Sequence, residues 1–172
     1  MTHLFRKACL LSVSLPIFAG CAIGVPQTRD EFVTMYKSGG IFCNAEHVTV
    51  KRPAKAVVAD VREFSQKCLN VRVTDAPNYS LHESGGSTTY HPKIEKIRAN
   101  TTALSVQEEY NDRALSGAPQ GGLFTLVAEI SPAGNKTTQL DLYYVPLSKF
   151  AGQLKQWAEG DKRSCPSLKR GW

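Results

Sequence analysis

The spacing of hydrophobic residues predicts three helices in this chain. The first is short, because Thr28 and Glu31 have the spacing of a capping box and Gly39–Gly40 ends the pattern. The second extends over 54–69 and the third over 147–159. The buried stripe predicted for the second helix is Val57, Val58, Val61, Phe64, Ser65 and Cys68. The stripe predicted for the third is Leu147, Phe150, Ala151, Leu154, Trp157 and Ala158.

Alternation of apolar and polar residues predicts six strands. They are 47–52, 71–73, 88–98, 102–110, 123–131 and 136–145. Ala99–Asn100 has the length and composition of a two-residue hairpin turn. The apolar faces of the last two strands are Phe124, Leu126, Ala128 and Ile130, then Leu140, Leu142 and Tyr144. The sequence therefore predicts an α+β fold, an antiparallel sheet with one apolar face closed by a long C-terminal helix and a short extra N-terminal helix.

The order of these elements resembles that of a known group of folds. Short helix, strand, helix, five strands and long helix resembles the helix-grip arrangement of START and Bet v 1-like domains. It is also similar to the helix-grip domains of an outer-membrane assembly lipoprotein subunit. The resemblance covers roughly 46–160 and implies no catalytic residues. In such a fold, a ligand held between the sheet and the last helix would face Phe150, Leu154, Trp157, Leu126 and Leu142.

The first twenty residues have the organisation of a signal peptide. A basic start with Arg6 and Lys7 precedes an apolar run over 8–18, which is too short to span a bilayer. The stretch 18–21, Phe-Ala-Gly-Cys, resembles a bacterial lipobox, although Phe18 stands where leucine is usual. The resemblance implies that 1–20 is removed and that Cys21 carries a fatty acyl (palmitate) anchor. An ordinary cleaved signal peptide is the alternative.

These boundaries define the expected organisation of the mature protein. Residues 21–27 form a short lipidated tether, and 28–172 form a single helix-grip domain with a basic C-terminal tail. In lipoproteins of this class an aspartate after the cysteine retains the protein in the inner membrane. Ala22 therefore implies a lipid-anchored location in the cell envelope, at the outer membrane and facing the periplasm.

The formal net charge is +6, and its surplus lies at the two ends of the chain. The basic residues from position 147 onward are Lys149, Lys155, Lys162, Arg163, Lys169 and Arg170, against only Glu159 and Asp161. We expect a solvated, flexible basic tail, with attraction to anionic lipid headgroups or an acidic partner as the alternative. Nucleic acid is not an expected partner, because no aromatic residues are interleaved with the basic ones.

Three cysteines of the mature chain remain after lipidation: Cys43, Cys68 and Cys165. Exposed thiols tend to pair in an oxidising compartment. Cys68 and Cys165 lie at the ends of two helices that can meet in a helix-grip arrangement, so we predict that they form a disulfide. A bridge between Cys43 and Cys68 is the second choice.

Residues for catalysis or metal binding do not form a recognisable pattern. His47, His82 and His91 lack metal-ligand spacing, and Glu108 and Glu109 point to opposite faces of a strand. We therefore expect neither an enzyme nor a cofactor or metal. The expected role is a binding or scaffolding module that contacts another envelope protein. The alternative is a carrier of a small apolar molecule, which requires a cavity under the last helix.

Overall fold

The computed structural model describes residues 24–39, 43–75, 85–111, 117–146, 148 and 150–168. Its elements are α1 Arg29–Lys37, β1 Asn44–Val50, α2 Ala54–Phe64 with a π-helical continuation Ser65–Leu69, β2 Arg72–Asp75, β3 Gly86–Arg98, β4 Thr101–Tyr110, β5 Leu123–Gly134, β6 Thr137–Tyr144 and α3 Ala151–Glu159. The predicted order of helices and strands is confirmed.

The six strands form one antiparallel sheet in the order β1-β6-β5-β4-β3-β2. The α+β prediction is confirmed, and the Ala99–Asn100 turn joins β3 to β4 as expected. Strand β1 begins at Asn44 rather than 47, because its pairing with β6 extends to Tyr144. The sheet stays open, with β1 and β2 at its edges.

One face of the sheet, called here the inner face, is covered by α2 and α3 together. Their shared hydrophobic core includes Val57, Phe64, Leu154 and Trp157 from the helical layer. Helix α3 has only nine residues and packs chiefly against α2. The prediction that the last helix begins at position 147 is wrong, because Ser148 N donates to Val145 O in a turn that leads the chain off the sheet. Positions 147 and 149 lie outside the described residues.

The opposite face, called here the outer face, is also covered. Helix α1 packs Phe32, Val33 and Tyr36 onto Val127 and Tyr143, and all five side chains are buried. The prediction of a single apolar face was therefore wrong. Polar residues in β5 and β6 interrupt the sequence pattern, so the buried outer-face positions Val127 and Tyr143 cannot be recognised from the sequence.

Phe124 belongs to the outer face, contrary to the prediction that it lies with Leu126. The pairing of β4 with β5 skips one residue, so Val106 faces Leu126 while Gln107 faces Phe124. This β-bulge reverses the alternation of side chains at the start of β5. The Phe124 ring consequently lies 6.0 Å from the Phe32 ring of α1.

The segment 161–168 after α3 folds back onto the domain. Cys165 forms a disulfide with Cys68, as predicted, with 5.3 Å between their Cα atoms. Trp157 Nε1 donates to Ser164 O at 2.8 Å, and Leu168 packs against the inner core. These contacts hold the segment against the domain, while most of its side chains, including Lys162 and Arg163, remain exposed to solvent. Cys43 is half-buried and has no disulfide partner in the described part of the chain.

A buried ion network joins the tail to α2. Asp60, which lies outside the buried stripe predicted for the second helix, is nevertheless buried, with Arg52 Nη1 at 2.8 Å and Lys162 Nζ at 2.5 Å from its carboxylate. Burial alone would raise the pKa of Asp60, but hydrogen bonds from Lys162 and Arg52 outweigh it and lower the pKa below its usual value. Arg52 also donates to Ala158 O at 2.8 Å, which ties the end of α3 to the strand layer.

Candidate functional site

The five residues predicted to face a ligand lie together under α3. Leu126 and Leu142 come from the sheet, and Phe150, Leu154 and Trp157 come from the α3 segment. Their exposed fractions are 0% for the three leucines, 1% for Phe150 and 3% for Trp157. A side chain that borders a water-sized void would retain exposed area there, so this region of the interior is filled with protein atoms.

Aromatic contacts account for part of this filling. The Phe150 ring meets the Tyr90 ring edge-on with centroids 5.5 Å apart, and the Phe64 and Trp157 rings are also 5.5 Å apart. Edge-to-face and tilted pairs at this separation are favourable arrangements. The inner core is therefore a packed layer in the present structure.

A polar group lies at the rim of this core, where β1, β6 and α3 meet. Lys155 Nζ lies 2.7 Å from Glu46 Oε2, and the Tyr144 hydroxyl donates to Glu46 Oε1. Hydrogen bonds from Lys155 and then Tyr144 lower the pKa of Glu46. Burial, followed by the hydrogen bond to Glu46, raises the pKa of Tyr144 to about 12. Both pKa shifts move away from neutral pH, so Glu46 stays ionised and Tyr144 stays protonated. The two residues therefore form a structural pair and not a proton donor or acceptor active at neutral pH.

Histidine and acidic residues elsewhere form pairs rather than clusters. His47 Nδ1 lies 2.7 Å from Asp141 Oδ1, and His91 Nε2 lies 2.8 Å from Glu109 Oε2. Within the described ranges, no group of three or more His, Cys, Asp or Glu side chains is arranged to hold a metal ion. His82 lies outside those ranges.

A cleft of about 320 Å³ lies on the outer face beside the start of α1. This outer cleft is lined by Thr28, Arg29, Asp30, Lys93, Glu95, Ser105, Gln107 and Phe124. The lining residues come from α1, β3, β4 and the bulged start of β5. The Phe124 side chain reaches the cleft only because of the bulge.

Arg29 is the central charge of the outer cleft. Its guanidinium lies 2.5 Å from Asp30 Oδ1, 3.5 Å from Glu95 Oε1 and 3.4 Å from the buried Glu129 Oε1. Charge-assisted hydrogen bonds are normally about 2.7–2.9 Å long, so the contacts to Glu95 and Glu129 are loose. Lys93 Nζ adds a second cation, 2.7 Å from Glu95 Oε2.

Ser105 supplies a hydroxyl to the same cleft. The residue is only 5% exposed, yet it lines the cleft from the centre of the sheet. Its hydroxyl has no hydrogen-bond partner among the described residues, whereas neighbouring Gln107 donates its amide to Gln120 O and Gly122 O. A hydroxyl that opens into a cleft without a protein partner is an available donor and acceptor for a ligand.

The sequence indicated these residues only in part. Arg29 falls inside the predicted capping box and Ser105 alternates with apolar residues in the strand 102–110, so neither position stands out in the sequence. Glu129 was a stronger signal, because a carboxylate inside an apolar strand needs a cationic partner when it is buried. The identity of that partner depends on the placement of α1 across the sheet.

The chain entering α1 is held against the domain by Gln27. Its backbone N donates to Glu31 Oε2 at 2.7 Å, and its side-chain amide donates to Gly117 O at 2.8 Å. Cys21 and the rest of the predicted lipobox lie outside the described residues. Among the helices of the described ranges, none combines the length and hydrophobicity required to cross a bilayer.

Three of the C-terminal basic residues are already paired within the domain. Lys155 pairs with Glu46, Lys162 with Asp60 and Glu63, and Arg163 with Asp161. Their charges are therefore partly neutralised locally. Lys149, Lys169 and Arg170 lie outside the described residues.

Comparison with known proteins gives similarity to solved structures but not to sequence families. No family model matches the sequence, and no curated protein matches it. A START superfamily protein from Mycobacterium smegmatis is similar in structure, with 15% sequence identity over 69% of this chain and 95% of that chain. The TM-score is 0.38.

Proposed function

We propose that this protein is a lipid-anchored binding or scaffolding module of the cell envelope, held through Cys21 at the outer membrane and facing the periplasm. Its binding surface is the outer face of the sheet. The observation that favours a binding module over an internal carrier is the filled inner core. Its five predicted ligand-facing side chains are at most 3% exposed. The proposal assigns no catalytic role.

The outer face offers what the inner core lacks. It combines an open cleft of about 320 Å³ with charges of both signs, a free hydroxyl and an aromatic ring. Small-molecule and peptide sites commonly combine an apolar wall with a few placed polar groups. The cleft begins at Thr28, one residue after the tether, so an anchored domain would present it near the membrane.

Internal transport of an apolar molecule is the alternative function. It requires α3 to move away from the sheet, because no water-sized space borders Leu126, Leu142 or Leu154. Titration of the purified protein with a fluorescent lipid probe separates the two functions. A binding module shows no saturable uptake of the probe, whereas a carrier takes up about one probe per chain.

Membrane fractionation tests the anchor. Cells producing the wild-type chain, Cys21→Ser and the matched control Cys43→Ser are separated into membrane and soluble fractions. We expect Cys21→Ser alone to accumulate unprocessed or to leave the membrane fraction. Normal processing and full membrane association of Cys21→Ser would overturn the anchor assignment.

A further inference from the structure

We propose that the outer cleft binds a zwitterionic phosphoethanolamine group, with its phosphate at Arg29 and Lys93 and its ammonium at Asp30 and Glu95. This inference extends the proposed function by giving the binding module a ligand class. It follows from the charge distribution, the free hydroxyl and the size of the cleft.

The charges around the cleft favour a ligand that carries both signs. Arg29 and Lys93 face Asp30, Glu95 and Glu129, so the formal charge of the group is −1. A simple anion would meet an excess of carboxylates, and a simple cation would lie beside the Arg29 guanidinium. A zwitterion can place each of its charges against the opposite sign.

The anion site is the guanidinium of Arg29. The Arg29 Nε contact to Glu95 Oε1, at 3.5 Å, is longer than a charge-assisted hydrogen bond, so this N–H can turn to a closer acceptor while Nη1 stays beside the buried Glu129. A phosphate offers that acceptor in a geometry that matches the planar donor fork of arginine. Lys93, whose side chain is largely exposed, can approach the same phosphate from the mouth of the cleft.

The cation site consists of Asp30 and Glu95. The Asp30 side chain is 80% exposed, and within the described part of the chain its single ion pair is with Arg29. When a phosphate accepts hydrogen bonds from the Arg29 guanidinium, the carboxylates of Asp30 and Glu95 can accept hydrogen bonds from an ammonium instead. The zwitterion adds one charge of each sign, so the net charge of the cleft does not change.

Ser105 fixes the position of the ligand between these two sites. Its hydroxyl lines the floor of the cleft without a described protein partner, and the Phe124 ring forms an apolar wall for the ethylene carbons. A volume of about 320 Å³ is at the lower end of the range for small-molecule sites and suits a headgroup rather than a whole lipid. Its position next to the tether places the cleft where membrane lipids present this group.

The test uses the chain from residue 21 with Cys21→Ser, which contains every described residue and needs no lipid anchor. Calorimetry measures binding of glycerophosphoethanolamine, and the comparison compounds are glycerol 3-phosphate, ethanolamine and glycerophosphocholine. We expect saturable one-to-one binding of glycerophosphoethanolamine, with each comparison compound at least about 3-fold weaker. No saturable binding, or equal binding of glycerol 3-phosphate or ethanolamine, would overturn the proposal.

Two variants with matched controls locate the site. Ser105→Ala should weaken binding about 3- to 10-fold, the effect of one lost hydrogen bond, and Ser131→Ala should not. Glu95→Gln should weaken it at least about 3-fold, unlike Glu109→Gln on the same face. Thermal melts check that each variant is folded. Equal binding by Ser105→Ala and Ser131→Ala would place the ligand elsewhere and refute the assignment.

The phosphoethanolamine group can come from a membrane lipid or from a free compound in solution. A vesicle experiment distinguishes these two sources. Flotation compares vesicles of phosphatidylcholine with vesicles that also contain phosphatidylethanolamine. Recruitment by the second vesicles assigns the ligand to the membrane surface, whereas binding of only the free compound assigns it to solution. Either result is independent of the fractionation of Cys21→Ser, so failure of the anchor and failure of the cleft remain distinguishable.

Discussion

Replacement of Phe150 by alanine measures how completely the inner core is packed. Phe150 is 1% exposed, meets Tyr90 edge-on and precedes the first turn of α3. The ring anchors the start of this helix against the sheet. The variant Phe150→Ala removes the ring but leaves the disulfide and the ion network of the tail intact.

The expected loss follows from the burial of the ring. Truncation of a fully buried phenylalanine costs about 3–5 kcal/mol in free energy of unfolding when the surroundings cannot collapse. A domain of this size has roughly 5–15 kcal/mol in total. Because 1 kcal/mol shifts the melting temperature of such a domain by about 2–4 °C, we expect a decrease of roughly 6–20 °C.

Thermal and urea denaturation of the oxidised protein provide the measurement. The matched control is Val71→Ala, because Val71 is 39% exposed and its truncation should change stability by less than about 0.5 kcal/mol. A loss below about 1 kcal/mol in Phe150→Ala, comparable to the control, would refute the packed core. Saturable uptake of a lipid probe by the wild-type protein would point to the same conclusion.

Three further changes test the tail, the ion network and the bulge. Cys165→Ser opens a disulfide that spans 97 positions and should cost about 2–4 kcal/mol in urea denaturation, whereas Cys43→Ser should be nearly neutral. Asp60→Asn should lower stability at pH 7 by about 1–3 kcal/mol. The pKa of Asp60 is lowered in the folded state, so the difference in free energy of unfolding between Asp60→Asn and the wild type should shrink as pH falls below about 4. It should vanish once the folded carboxyl is protonated. A difference that grows in acid contradicts the assignment. Gly122→Ala places a Cβ against the backbone of β4 at a φ of +90° and should cost roughly 2–4 kcal/mol, while Gly152→Ala, in open space on α3, should stabilise by about 0.5–1 kcal/mol; equal effects in the two would contradict the close approach.

Local sequence patterns were sufficient for most of the elements. The stripe Val57, Val61, Phe64 and Cys68 predicted both the second helix and its buried side correctly. The alternation that predicts β4 likewise puts Leu104 and Val106 on one face, and both belong to the inner core. These predictions succeed because side-chain direction follows the helix or strand period within a single element.

The candidate site depends on features that the hydrophobic periodicity of the sequence cannot reveal. The bulge at Phe124 changes which face a residue occupies, and the pattern of β5 looks regular without knowledge of its pairing with β4. Asp60 appeared to be a surface residue because its partners, Arg52 and Lys162, come from other parts of the chain. Burial of a charge becomes evident only when those partners are placed around it.

The sequence by itself determined the class of fold and the order of its elements, whereas it only favoured Cys68–Cys165 over Cys43–Cys68. It determined these because hydrophobic periodicity and helix ends are local properties. Only the tertiary structure decided that both faces of the sheet are covered, that the inner core is filled and that an outer cleft forms around Arg29. Each of these depends on how α1, α3 and the tail dock on the sheet, and docking brings together residues that are far apart in the chain, such as Arg29 and Glu129, 100 positions apart.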